Sequence, residues 1–140
     1  MNCLLDTNVI SELVAKYPNK HVLEWLDTLD SNHVFLSVIT VGELRKGIEK
    51  LPASARKDAL TDWLTTDLPL RFSGRILPID IDVMLTWGQL TGQLEHIGRP
   101  LPAIDSLIAA LALHHNYTLV TRNEADFKDT GIAVINPWNS

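Results

Sequence analysis

Asp6, Glu43, Asp105 and Asp126 are far apart in the chain, yet each stands where a strand or loop hands over to a helix. In an open α/β sheet the ligand crevice lies beyond the carboxyl ends of the strands, so acids at such junctions line one shared cleft. Two carboxylates about 4 Å apart repel by roughly 4 kcal/mol at an effective dielectric near 20, and several left bare cost a sizeable part of a domain's stability. Protonation relieves that repulsion, and so do hard divalent cations with oxygen ligands, Mg²⁺ or Mn²⁺. The single Cys and the five His show no zinc-site spacing.

The elements that must position these acids are legible from their periodicity. Cys3-Leu4-Leu5-Asp6 reads as a buried strand, followed by helical spacing from Val9. Val34-Phe35-Leu36-Ser37 is a strand leading into a helix whose apolar positions are Val41, Leu44, Ile48 and Leu51, with Glu43 in its first turn. Asp105 follows the breaker Arg99-Pro100-Leu101-Pro102 and opens an Ala/Leu-rich helix from Ile104 to His115, with Pro102 near its first position. Asp126 comes just after the strand Thr118-Leu119-Val120-Thr121.

Each acid also has a purely structural role open to it. Asp6 can cap the next helix. Thr40 with Glu43, and Thr121 with Glu124, form the T-x-x-E pattern of a capping box, which leaves Asp126 as a solvated loop acid. Asp105 suits the positive end of a helix dipole. The joint pattern, rather than any one acid, points to a metal cleft.

Four stretches carry a resemblance. Leu4-Leu5-Asp6-Thr7-Asn8-Val9-Ile10-Ser11, Val41-Gly42-Glu43-Leu44-Arg45-Lys46-Gly47, Ile104-Asp105-Ser106-Leu107-Ile108-Ala109 and Leu119-Val120-Thr121-Arg122-Asn123-Glu124-Ala125-Asp126-Phe127 resemble the successive motifs of PIN-domain ribonucleases, in family order, from about residue 3 to Pro137. The chain is most similar to the VapC-type toxins of bacterial type II toxin–antitoxin pairs, in their FitB-like branch. The resemblance implies a Mg²⁺- or Mn²⁺-dependent endoribonuclease that leaves 5′ phosphate and 3′ hydroxyl ends. It also implies inhibition by a small cognate antitoxin, indirect contact with operator DNA through that antitoxin, and a homodimer. Asp6 and Asp105 match the main metal-binding acids of the family and Glu43 the third. The fourth position is shared between Asp126, as the acidic member, and Asn123, as a neutral ligand or water-positioning group. Thr7, Asn8 and Thr121 match positions that orient the acids or bond metal waters; turn and capping chemistry is the alternative role for all three.

With 140 residues, 46% hydrophobic, and no linker, repeat or low-complexity run, the chain reads as a single domain, residues 1–140. The longest apolar run, Leu107 to Leu113, is far short of a bilayer span, and no basic leader precedes Cys3, so a cytoplasmic protein is expected. Cys3 reads as a buried reduced thiol. The net charge of −5 runs against nucleic-acid binding, but Arg45, Lys46, Lys50, Arg56 and Lys57 crowd together after Glu43, either as a basic flank to the cleft or as a solvated helix face. The acidic balance also suits a basic antitoxin segment.

The expected fold is a PIN-like three-layer α/β/α sandwich with a central, mostly parallel sheet, its strands near residues 3 to 6, 34 to 37, 75 to 79, 118 to 121 and 132 to 135. Helices near 9 to 15, 20 to 30 and 54 to 68 are expected to form an arm for the antitoxin and a dimer contact. Trp25, Trp63 and Trp87 follow helical spacing as core or interface residues, Trp138 pins the tail, and His114-His115 suits the negative end of a helix dipole. Two rival readings have sequence tests. A phospho-receiver domain wants adjacent acids after its first strand and a Lys after its last, where this chain has Thr7 and Arg122. A PIN-like module that grips RNA or a partner without cutting has the same motifs and is separated only by assay.

Overall fold

The computed structural model describes residues 1–139. Among them five strands form one sheet: β1 (Cys3–Leu5), β2 (Val34–Ser37), β3 (Ile76–Leu77), β4 (Thr118–Val120) and β5 (Val134–Ile135), in the order β3-β2-β1-β4-β5. Every pairing is parallel, so the expected mostly parallel sheet is parallel throughout. Strand positions match those expected, with β3 and β5 at the two edges shorter than their apolar runs.

Parallel strands must be covered on both faces, which is why Cys3, Leu4 and Leu5 are all buried. Successive side chains alternate between faces, and the two hydrophobic clusters follow that alternation. Cys3, Leu5, Val34, Leu36 and Val120 pack under one helical layer, where α1 (Thr7–Glu12) contributes Val9 and Ile10 and α3 (Val38–Glu49) contributes Leu44 and Ile48. The same layer holds α2 (Lys20–Asp27), α4 (Ala55–Asp62) and α5 (Leu68–Arg71), with Trp25 and Trp63 packed against the cluster. Leu4 and Leu119 face the opposite layer, made of α6 (Ile81–His96) and α7 (Ala103–His115) through Val83, Leu90, Leu94, Ile108 and Leu111. Trp87 Nε1 donates to Ser106 Oγ at 2.9 Å and ties α6 to α7.

The helix expected near 54 to 68 is α4 and α5 joined by a π-helical turn, Trp63–Asp67. Pro69, in the first turn of α5, has no N–H for the carbonyl four residues back, and its ring crowds that carbonyl, which favours a widened turn just before it. At the other end of the sheet α7 stops at Asn116, which takes the left-handed conformation with φ 57°, and the Tyr117 N–H returns to Ala112 O at 2.9 Å. That turn drops the chain into β4. Trp138 packs against the first cluster beneath the Arg122 guanidinium, 5.3 Å from its ring. Cys3 is buried, and burial pushes its thiol up from the ordinary value. Among the described residues no helix is long and apolar enough to cross a membrane.

Candidate active site

The strand order places the switch point of the sheet between β1 and β4, since the chain runs outward from β1 through β2 to β3 on one side and through β4 to β5 on the other. Ligand crevices form at such points. Leu5 is paired with Val120, and one residue further on Asp6 and Thr121 stand side by side at the carboxyl ends of the two strands. The Asp6 N–H donates to Val120 O at 2.9 Å, and Thr121 Oγ1 donates to Asp6 Oδ2 at 2.8 Å. Asp6 Oδ1 accepts from the Thr7 N–H at 2.8 Å, so the capping role open to this residue is realised. The carboxylate is only 5% exposed, and burial raises its pKa despite the two hydrogen bonds that favour the charged form.

Thr121 has every hydrogen-bonding site filled. Its proton goes to Asp6, while its oxygen accepts from Asn8 Nδ2 at 3.3 Å and from the Asn123 N–H at 3.1 Å. Asn8 Oδ1 in turn accepts from the Arg122 N–H at 3.3 Å. The expected pair Thr121 and Glu124 is therefore no capping box: Thr121 is committed to the strand end, and Glu124 Oε1 accepts from Asn136 Nδ2 and Asn139 Nδ2 at 3.3 and 3.0 Å. Asn123 supports Thr121 through its backbone amide, and the exposed Asp126 follows in a 3₁₀ turn, Glu124–Phe127.

Glu43 also departs from its expected position. Ser37 is the cap of α3, its Oγ accepting from the Thr40 N–H at 3.1 Å, so Thr40 lies in the first turn and Glu43 in the second. The capping box expected of Thr40 and Glu43 does not form. Instead Thr7 Oγ1 donates to Glu43 Oε1 at 2.5 Å and stands 3.1 Å from Thr40 Oγ1. A hydroxyl has one proton, so with Thr7 donating to Glu43 the chain of hydroxyls runs Ser37 to Thr40 to Thr7 to Glu43, beginning with Ser37 Oγ 3.3 Å from Thr40 Oγ1. Ser37 and Thr40 are thus members of the site that sequence reasoning gave other roles; Ser37, three residues before Thr40 at the end of an apolar run, was the signal for the true cap.

Asp105 lies in the first turn of α7, capped by Pro102 rather than carrying it at its first helical position. Its pKa is raised first by burial and then by the charges of Asp6, Asp126 and Glu43. The charges of the other three predicted acids thus bear on Asp105, after burial. Among the described residues no three His, Cys, Asp or Glu side chains stand close enough together to hold a metal ion among themselves. The donor set is nonetheless all hard oxygen, and Mg²⁺ keeps several of its waters and needs only one or two carboxylates directly, so an open acidic arrangement suits it. Asp6 fits a direct ligand best: it is buried, oriented on both oxygens, and held above its ordinary pKa with no cationic side chain bonded to it.

The chain's similarities agree with this geometry. Residues 3–133 match the PIN domain family. Toxin FitB of Neisseria gonorrhoeae is 41% identical over 136 residues, covering 97% of this chain and 98% of that protein. The VapC ribonuclease Y4jK of Sinorhizobium fredii is 37% identical, covering 96% of each. The fold superposes on the crystal structure of FitAcB from Neisseria gonorrhoeae with a TM-score of 0.94 at 40% identity, covering 99% of both chains. With Asp6 at the switch point of a parallel sheet and a match that spans nearly its whole length, the chain belongs to the PIN-domain family, in the branch that holds FitB and VapC.

Proposed function

We propose that this protein is a metal-dependent endoribonuclease that acts in the cytoplasm as the toxin of a toxin–antitoxin pair. The observation that carries the reading is the buried Asp6 carboxylate, fixed on both oxygens at the switch point between β1 and β4, with the charges of Asp6, Asp126 and Glu43 also bearing on Asp105; a divalent cation, Mg²⁺ or Mn²⁺, relieves that repulsion. Asp6 and Asp105 hold the ion, with Glu43 and Asp126 completing its acidic surroundings. When bound it lowers the pKa of a water and offsets the charge that builds on a phosphodiester during hydrolysis. Thr121 and the Thr7 amide fix both Asp6 oxygens, so that carboxylate needs no reorientation to do its work. Thr7 engages Glu43 Oε1 and leaves Oε2 free to accept the proton of the attacking water. Asn8, through Thr121, keeps the β1 and β4 ends in register.

An antitoxin has a place to bind. A groove of about 240 Å³ runs between α1, α3 and α4, lined by Val14, Leu44, Ile48, Leu60 and Trp63 and reaching Thr7 and Glu43 at one end. An amphipathic segment fits its apolar length, and an Arg or Lys at the end of that segment meets the carboxylates. The solved relatives with an antitoxin include complexes with promoter DNA, such as VapBC2 from Rickettsia felis, and indirect operator contact through the partner follows by analogy. We assign the homodimer to the same reading.

Expression without antitoxin tests it. The wild type is expected to arrest bacterial growth and to generate new RNA 5′ ends carrying phosphate, while Asp6→Ala and Asp105→Asn grow normally. Equal growth of all three strains, with no new ends, leaves a binding module that does not cut.

A further inference from the structure

A second groove, of about 530 Å³, lies on the other side of α3, bounded by Ile39, Gly42, Lys46, Lys50 and Ile104, with Glu43 at its head. Glu43 lines both this groove and the apolar one, so α3 is a ridge between two approaches to the same carboxylate. The two differ in their cations: the mostly apolar first groove has Arg56, whose guanidinium donates to Val14 O, whereas Lys46 and Lys50 line the second beside Ile39 and Ile104.

Gly42, Lys46 and Lys50 are four residues apart and stack along one face of α3, the two lysines about 6 Å apart along the axis. The other basic residues of the cluster are engaged. Arg45 pairs with Glu49 at 3.1 Å, Lys57 Nζ donates to the carbonyls of Glu49 and Leu51, and Arg56 donates to Val14 O. Lys46 and Lys50 are exposed and, among the described residues, have neither an ion pair nor a hydrogen bond from their ammonium groups. On a chain of net charge −5, they are an uncommitted positive rail leading to four negative groups. The space beside Gly42 is open, for a Cβ at that position meets nothing within 4 Å, so a large side chain placed there would project into the groove.

We infer that this groove is the track of single-stranded RNA, with Lys46 and Lys50 binding consecutive phosphates on one side of the scissile bond. The inference rests on the nuclease reading and adds a route and two positioning residues to it. An anionic polymer must approach the carboxylates against their repulsion, and fixed cations beside the path offset that cost while setting the register of the strand. The lysine spacing is comparable with that of successive phosphates in an extended strand, and Ile39 and Ile104 offer apolar walls for bases or ribose. RNA and antitoxin then take opposite sides of α3 and meet only at its acidic end.

Anisotropy of a fluorescein-labelled, mixed-sequence single-stranded RNA in Ca²⁺ reads binding, and cleavage in Mg²⁺ reads activity. Lys46→Glu/Lys50→Glu is expected to weaken RNA binding about tenfold or more and to reduce the slope of log affinity against log salt by about 1.4. Cleavage by the same variant shows a raised KM with little change in kcat, and affinity for the cognate antitoxin stays within twofold. Gly42→Leu, which fills the groove yet leaves both lysines in place, is expected to weaken RNA binding as well. Unchanged RNA affinity and salt slope in the double variant overturns the inference. Lost antitoxin affinity with intact RNA binding also overturns it, by giving the groove to the protein partner. Loss in the double variant but none in Gly42→Leu removes the groove as the path. RNA that binds the wild type through these lysines and is never cut refutes the nuclease reading and leaves the track standing.

Discussion

Burial and three neighbouring carboxylates push the Asp105 carboxyl in the same direction, so the side chains that make this site useful also make the metal-free fold less stable. The folded-state pKa lies above the unfolded one, and between the two values the folded chain binds its proton more tightly. This contribution to stability therefore rises as pH falls from neutral through the folded-state value and is lost as pH rises through it. Asp6 acts in the same sense. Asp105→Asn removes the repulsion without changing the shape, and we expect a higher melting temperature for the metal-free variant at neutral pH, with a flatter dependence on pH. Cleavage by the variant falls about 100-fold or more. Thermal denaturation with chelator present and a single-turnover RNA assay check the two halves; a variant that melts lower than wild type at neutral pH contradicts the electrostatic account. Asp6, Glu43 and Asp105 are legible in the sequence because each sits in a short motif with its own flanking pattern. The hydroxyl chain that orients Glu43 is not, because Thr40 and Glu43 have the same spacing as a capping box, and no local spacing shows that Thr7, 36 residues away in sequence, reaches Glu43.

Among the secondary-structure elements, α3 does the most positioning. Its cap Ser37 lies at the end of β2, so one hydroxyl both starts the helix and begins the chain of contacts to Glu43. Ser37→Ala is expected to cost about 1 kcal/mol in chemical denaturation, as the loss of a helix cap does, and to lower kcat by loosening Thr40 and Thr7. A stability loss with kcat unchanged would confine Ser37 to the cap. Helix and strand positions were readable from apolar periodicity, and departures from them have local causes. The π turn before Pro69 arises from a missing amide proton that periodicity does not register. The edge strands β3 and β5 are short because each has a neighbour on one side only, which apolar runs around Ile76 and Val134 do not reveal.

For the molecule as a whole, strand order was beyond any reading of spacing, although it is what brings β1 beside β4 and creates the cleft. The division of labour across α3 was equally hidden, since both grooves draw on residues from separate helices. It predicts that inhibition and substrate binding can be altered one at a time. Ala15 is exposed on the apolar groove and away from the lysines. Ala15→Glu places a charge where an apolar segment must lie, and antitoxin affinity is expected to fall about tenfold or more while RNA cleavage in its absence is unchanged. Calorimetric titration and a cleavage assay measure the two; equal antitoxin affinity would remove this groove as its seat.

The central position of β1 also has a consequence for timing. β1 can pair with β4 only after the ribosome has added all the residues between them, because Cys3 to Leu5 lie against Thr118 to Val120. At about 5–20 residues per second, several seconds separate the emergence of Asp6 from that of the segment that locks it in place. Until Thr121 arrives the Asp6 carboxylate has no hydroxyl to hold it, so the cleft closes late in synthesis whatever else has already folded.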